Sequence, residues 1–357
     1  MFDPGKPYNA LPLLPNKPDC DTIELWKAVN KANIALAKLN IRAEKLPNSM
    51  LLISPLLVRE SVASSGIENI NTTVQEVFEA EILPEEQRTG PAKEVLHYRD
   101  AMIFGMERVK KRSQLTLKDF SDLQALVEPE KTGIRKEQVR IINHSTNEIL
   151  YTPPAPNKLE RLLENLEDFA NTPSSDMDPL MKAAVFHYQF EAIHPFLDGN
   201  GRVGRILIVL YLVMMGRLSL PILFISGYIE KNRSSYYRIL RDTTLSGDMH
   251  ELVLFFVKGF EVQAMQTEQT IMDIEELMGS FKEVVNKKMK IYTADLLECL
   301  FTRAFLTIDY VQTYLKLSSR QTASKYLSTL VHHGLLKEKK IGKGKLFYSE
   351  RFCKLLS

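Results

Sequence analysis

The sequence predicts a mainly α-helical protein in two parts: a helical body carrying one small β-hairpin, and a C-terminal domain of three helices followed by a second hairpin. Three observations predict this. Apolar residues recur at helical spacing from Asp21 to about Phe281, with almost no strand-like alternation. One stretch, Ile134 to Tyr151, breaks the rule with two short β-branched runs around a polar turn. Charge also divides the chain: residues 287–357 hold fourteen basic and five acidic residues, whereas the first 286 hold thirty-two basic and thirty-nine acidic. The overall formal charge of +2 therefore hides an acidic body and a basic tail.

Prolines at 4, 7, 12, 15 and 18 keep the first twenty residues out of regular helix, so an extended arm laid over the body is expected. Helices follow over Ile23 to Leu39, Leu56 to Phe78, Val95 to Val109 and Phe120 to Val127. In the hairpin, VRII (139–142) and ILY (149–151) flank the turn from His144 to Glu148, and Pro153, Pro154 and Pro156 end it. Further helices are expected over Lys158 to Ala170, Asp178 to Ile193, Arg202 to Met215, Arg233 to Thr243, and Met249 to about Phe281. In the tail, helices over Thr293 to Phe301, Thr307 to Leu315 and Arg320 to His333 precede LLKEKKIGKGKLFY, where Gly342 and Gly344 permit a tight turn. Three helices and a basic hairpin is the order of a winged helix-turn-helix. The expected division is 1–90 for the arm and first helices, 91–260 for the central helical region, 261–286 for a linking helix and 287–357 for the tail domain.

The 357 residues, 45% hydrophobic and 25% charged, exclude disordered, collagen-like and disulfide-scaffold classes. Cys20, Cys299 and Cys353 lie far apart without metal-site spacing, which fits a reducing compartment. No basic and apolar leader pattern opens the chain, and Ile206 to Met215 is half the length of a membrane span, so a cytoplasmic protein without membrane contact is expected.

The chemistry concentrates in His194 to Arg205, HPFLDGNGRVGR. Pro195 forces the preceding helix to end near His194, placing an imidazole able to accept a hydroxyl proton at a helix exit. The glycine-rich turn that follows leads into a new helix, so free backbone N–H groups and the positive helix end converge as an anion cradle. Arg202 and Arg205, three apart, share a face of that helix and suit phosphate groups. Asp198 offers a hard oxygen for a magnesium ion bridging phosphate oxygens. His187, seven residues before His194, has no companion at metal-ligand spacing and reads as a packed histidine. Gly342-Lys-Gly344 lacks the context of a nucleotide-binding lysine loop.

At these residues the sequence resembles the Fic (Fido) family, defined by HPFx(D/E)GNGRxxR, with every fixed position met from His194 to Arg205. The resemblance implies a helical core with a β-hairpin flap that transfers AMP from ATP to a Tyr, Thr or Ser hydroxyl of a target protein, releasing pyrophosphate. It implies His194 as general base, Asp198 as the magnesium ligand, and Phe196, Gly199, Asn200, Gly201, Arg202 and Arg205 around the nucleotide, Arg205 meeting the γ-phosphate. The hairpin then corresponds to a flap that docks an extended target segment through Val139, Ile141, Ile142, Ile149 and Tyr151. Lys231 and Asn232 fall where the family contacts the nucleotide base. Ser64, Glu68 and Asn69 fit the family's inhibitory pattern (S/T)xxxE(G/N), N-terminal to the core, which implies that Glu68 pairs with Arg205 and blocks productive ATP binding. In some members this Glu also serves AMP removal.

In the tail, Ser319, Arg320, Gln321, Thr322, Ser324 and Lys325 open the third helix with residue types that reach phosphates and base edges. A second function is therefore weighed against protein adenylyltransferase: a winged-helix DNA-binding transcription regulator whose body senses nucleotide. Self-modification and a homodimer stay open partners.

Overall fold

The computed structural model describes residues 3–15, 22–46, 49–143, 146–173, 177–288, 294–341 and 344–356. Helix α1 (Ile23–Glu44) starts at Thr22, whose hydroxyl accepts the Leu25 N–H at 3.2 Å. Helix α2 (Ser49–Ile67) stops where Asn69 turns left-handed, φ 63°, a conformation asparagine tolerates better than most residues. Helix α3 (Val74–Glu81) begins in a capping box of Thr73 and Glu76. The helical pattern from Leu56 to Phe78 is therefore two helices, divided at the segment that carries Glu68 and Asn69.

Helices α4 (Gly90–Arg112) and α5 (Leu117–Val127) lead to the hairpin, β1 (Ile141–Asn143) and β2 (Glu148–Tyr151). The strands pair antiparallel, Ile142 opposite Ile149 and Ile141 opposite Tyr151, with a register shift between Ile141 and Ile142. Val139 precedes β1, and His144 and Ser145 of the turn lie outside the described residues. Helices α6 (Leu159–Asn171), α7 (Pro179–Ile193) and α8 (Asn200–Met214) follow. Helix α8 begins two residues before Arg202, because its cap is the left-handed Gly199 at φ 79°. Helix α9 (Ile225–Lys231), which the apolar pattern does not announce, adjoins α10 (Arg233–Ser246), and α11 (His250–Lys288) runs unbroken across residue 260.

Almost every residue of α7 and α8 is buried, which explains why both are apolar all round rather than striped. The other body helices wrap this pair: α4, α5 and α2 pack on α8, and α6 and α11 on α7. The arm crosses the surface as expected. Asn165 bonds both the N–H and carbonyl of Leu14 at 2.8 Å, and the Tyr8 N–H reaches the Thr152 carbonyl at 3.0 Å, at the foot of the hairpin.

The tail comprises α12 (Ala294–Thr302), β3 (Phe305–Leu306), α13 (Ile308–Tyr314), α14 (Arg320–His332), β4 (Lys337–Ile341), β5 (Gly344–Tyr348) and α15 (Glu350–Leu356), with sheet order β3-β5-β4. Gly342, at the expected turn, and Cys20 lie outside the described residues. Helices α12 and α15 rest on α2, and Lys339 of β4 pairs with Glu79 of α3 at 2.8 Å. No helix among the described residues is long and apolar enough to cross a membrane.

The α4–α8 crossing depends on Gly105, where a Cβ would stand 2.4 Å from Leu210 Cδ1 and 3.1 Å from Leu123 Cδ2. Gly105→Val is expected to cost about 1–3 kcal/mol by overpacking, read as a lower thermal midpoint. Gly105→Ala should cost less, because helix propensity returns about 1 kcal/mol. An unchanged midpoint for the valine variant would show that the crossing is not tight.

Candidate active site

The site forms where α7 gives way to α8. His194 ends α7 in the left-handed region, φ 49° and ψ 62°, with its N–H on the Phe190 carbonyl at 3.0 Å. The loop after it is sewn to residues ahead of the hairpin: Phe196 bridges to Ile134, and the Arg135 N–H donates to the Pro195 carbonyl at 2.9 Å. Asn200 uses its side-chain amide to bond the Phe196 N–H and carbonyl, both at 2.9 Å. Phe196 is buried against Phe190. Of these two residues expected to face the nucleotide, Phe196 is absent from the cavity wall and braces the turn, whereas Asn200 lines the cavity with its side-chain amide committed to backbone.

Both arginines are almost wholly enclosed, and one carboxylate joins them. Glu68 accepts from Arg202 Nε at 2.9 Å and from Arg205 Nη2 at 2.8 Å. Arg205 also donates from Nε to the Ser64 hydroxyl at 2.8 Å and from Nη2 to the Ser64 carbonyl at 2.9 Å. Arg202 is further surrounded by Glu128 at 3.2 Å and by Glu94 and Asp198 at 3.5 Å. It stands behind the cavity, whereas Arg205 reaches its wall. The carboxylate of Glu68 lies directly over the start of α8: a Cβ on Gly201 would fall 2.4 Å from its Oε1. Only glycine at 201 lets an anion approach so closely. Asn69, left-handed just beyond Glu68, is held by Arg233 at 3.1 Å.

Burial, and then the charge of Arg135, push the His194 imidazole down to about 4, with Asp198 acting in the opposite sense. The imidazole is therefore neutral, and able to accept a proton, throughout the cellular pH range. Burial alone would raise the Asp198 carboxyl, but Lys131 and the Gly199 N–H bring it below the ordinary range. Lys131 Nζ sits 2.6 Å from Asp198 Oδ2, and the Gly199 N–H 2.8 Å from Oδ1. An ionised carboxylate at the cavity suits magnesium, which takes one or two protein oxygens and fills its sphere with phosphate and water. Among the described residues no cluster of three acidic, His or Cys groups could hold a metal by itself.

A cavity of about 1000 Å³ lies in front of these groups, lined by His194, Asp198, Gly199, Gly201, Glu68 and Arg205 on one side and by the hairpin on the other. From the hairpin, Ile141, Ile142 and Tyr151 face it together with Arg140, Asn143 and Leu150; Val139 and Ile149 do not. The register shift at Ile141 disturbs simple alternation and admits Leu150 beside Tyr151. Lys231 and Asn232 also stay off the wall. Asn232 closes α9 by donating to the Tyr228 carbonyl at 2.9 Å, Lys231 is exposed, and Arg233, Tyr236 and Tyr237 stand at the cavity instead. His187 is buried and bonded to the Tyr236 hydroxyl at 2.9 Å, as a packed histidine should be. Glu191, one turn before His194, lines the cavity with its carboxyl raised to about 7 by burial. Sequence pattern did not single out Glu191, Lys131 or Arg135, since each is an isolated charged residue outside any motif.

Family models described as Fic/DOC family N-terminal, Fic/DOC family, and protein adenylyltransferase SoFic-like C-terminal domain match residues 26–107, 107–212 and 277–352. Protein adenylyltransferase Fic of Drosophila willistoni is 30% identical over 201 residues, 54% of this chain and 38% of that protein. A probable protein adenylyltransferase of Aquifex aeolicus is 28% identical over 205 residues, 56% of this chain and 57% of its own length. The matched part thus spans well under two thirds of these relatives. A Fic family protein from Desulfovibrio desulfuricans has the same fold, with a TM-score of 0.59 at 20% identity over 93% of this chain and 97% of that one. The motif at 194–205, the helical fold that carries it and the matched domains agree: the chain belongs to the Fic/DOC family.

Proposed function

We propose that the protein is an adenylyltransferase that moves AMP from ATP to a Tyr, Thr or Ser hydroxyl of a target protein and is held in check by Glu68. The observation that carries this is a neutral His194 facing the same cavity as Gly201 and Arg205 at the start of α8. His194 takes the proton of the target hydroxyl as its oxygen bonds to the α-phosphorus; the bond to the bridging oxygen breaks and pyrophosphate leaves. Backbone N–H groups at Asn200 and Gly201 and the Arg205 guanidinium stabilise the triphosphate. Asp198 would hold magnesium once Lys131 releases it, and the metal supplies charge neutralisation at phosphate oxygens. The hairpin edge offers a target segment main-chain pairing with Ile141 to Asn143. The two described cysteines are free, which fits the cytoplasm.

Inhibition follows from occupancy. Arg205 has its guanidinium on Glu68 and Ser64, so a γ-phosphate meets a used cation and a like charge. Glu68→Gly is expected to raise AMP incorporation from labelled ATP by about tenfold or more, equivalent to ~1.4 kcal/mol. His194→Ala in that variant should lower it by about 10²–10⁴. A Glu68 variant no faster than the native chain would exclude self-inhibition.

The same substitution should weaken the fold. Arg205 would keep only Ser64, and breaking a buried pair costs about 3–5 kcal/mol, the low end applying here because the Glu68 side chain is 24% exposed. Glu68→Gly should therefore melt earlier than the native chain, and ATP should raise its midpoint more. Equal ATP shifts in both would contradict the shared-anion model.

Rate should depend on pH with a definite sign. The base works unprotonated, so kcat/KM falls as pH drops through the His194 value, near 4 in the free protein. An acid limb lying at or above pH 7 in kcat/KM would place the proton acceptor elsewhere.

A second function has its own support. Helix α14 carries Arg320, Gln321, Ser324, Lys325 and Ser328 around a shallow concavity, residue types that reach phosphates and base edges. Arg320 is tied to Asp309 at 2.7 Å, and Lys337 and Lys345 to Glu350 and Glu338, which mutes part of the tail's charge. Sequence-dependent duplex binding that survives physiological salt in a gel-shift titration would establish DNA binding; loss of all binding by that salt would remove it.

A further inference from the structure

Arg135, between α5 and β1, is buried to 2% exposure. Among the described residues its guanidinium donates only to main-chain carbonyls: His194 at 2.8 Å, Ile193 at 3.4 Å, Glu137 at 3.0 Å and Pro154 at 2.6 Å. His194 and Ile193 end helix α7, whose last carbonyls have no helical partner and form the negative pole of its dipole, a favoured place for a cation. Glu137 and Pro154 lie on the two legs leading into and out of the hairpin. The Tyr151 hydroxyl adds a bond to the Ala192 carbonyl at 2.8 Å, one residue back along α7. A single fork thus ties the exit that carries the imidazole to both feet of the hairpin across the cavity.

We infer that Arg135 is a positioning residue for the transfer reaction, holding His194 and the β1–β2 hairpin as one rigid unit so that a hydroxyl docked on the hairpin arrives within reach of the imidazole. The inference rests on the proposed transfer chemistry for its kinetic consequence, but not for its geometry. A lysine at 135 would keep the charge while offering donors from one point, too few directions to reach carbonyls on α7 and on both legs. A glutamine would lose the charge as well. That charge favours the neutral form of His194. The other charged or titratable groups facing the cavity near the imidazole are Asp198 from the loop before α8, Glu191 and Tyr188 from α7, and Glu68 from the end of α2. Arg205 of α8, Arg140 and Tyr151 of the hairpin, and Arg233, Tyr236, Tyr237, Arg238 and Arg241 of α10 complete the set, and the variants leave all of them unchanged.

The test places Arg135→Lys and Arg135→Gln in the Glu68→Gly chain and follows both AMP transfer to protein and the His194 imidazole by NMR titration, assigned with His194→Ala. For Arg135→Lys the expected result is a kcat lower by about 10²-fold, the cost of misplacing a reacting group by about an ångström, with the KM for ATP within twofold and the His194 titration unmoved. For Arg135→Gln the titration should move to higher pH. Arg135→Lys with the parent's kcat, or Arg135→Gln with an unmoved titration, would overturn the inference. If the parent itself transfers no AMP, the proposed function fails, while the glutamine titration still decides whether Arg135 acts on His194.

Discussion

Two buried guanidinium groups at the start of α8 govern this structure. Arg202 and Arg205 are cut off from water, so an anion must meet them, and the identity of that anion defines the state of the site. Within the chain the anion is Glu68, delivered by α2 and seated against Gly201, where a side chain of any size would exclude it. The turn at Asn69 ends α2 at the point that allows this reach. Further back, Glu60 anchors the same helix by bonding Ser226 of α9 and the Tyr98 hydroxyl of α4, its own carboxyl raised to about 7 by burial. The helix that leads to Glu68 is therefore fixed in the body by a buried polar network and by its packing against α12 and α15.

The opposite wall obeys a different constraint. His194 needs to be neutral and aimed: burial and the charge of Arg135 keep it neutral, and main-chain arrangements rather than a carboxylate partner aim it. The left-handed exit from α7, the bridge from Ile134 to Phe196 and the Asn200 brace fix the loop, while Arg135 spans from that loop to the hairpin. A cavity between a preset cradle and a strand edge is what a reaction joining a nucleotide to a peptide segment requires.

Much of this was legible in the residues. The motif from His194 to Arg205 placed the helix exit, the glycine turn and the arginines because proline and glycine dictate backbone geometry locally. The match of Ser64, Glu68 and Asn69 to the family's inhibitory pattern marked the segment that meets Arg205. Long-range partners were not legible. Nothing local shows that Glu68 spans both arginines, that Arg202 gathers Glu94 from α4 and Glu128 from just beyond α5, or that Lys131 covers Asp198. Arg135 was invisible for a related reason: its partners are carbonyls, which every residue possesses. Lys231 and Asn232 fell one residue short of the cavity because Asn232 is spent on closing α9, and the hairpin's facing residues were altered by the shift at Ile141. Helices α9 and α15 are too short for apolar periodicity to reveal.

The claim that Glu68 and a γ-phosphate compete for Arg205 is tested most directly by calorimetric titration of ATP and ADP, each with magnesium, into the native chain and into Glu68→Gly. Competition requires that the native chain bind both nucleotides with nearly equal affinity, the γ-phosphate finding no free cation. The variant should bind ATP more tightly than ADP by about tenfold, the equivalent of ~1.4 kcal/mol for one charge-assisted pair. A native chain that already prefers ATP by the same factor as the variant would contradict it.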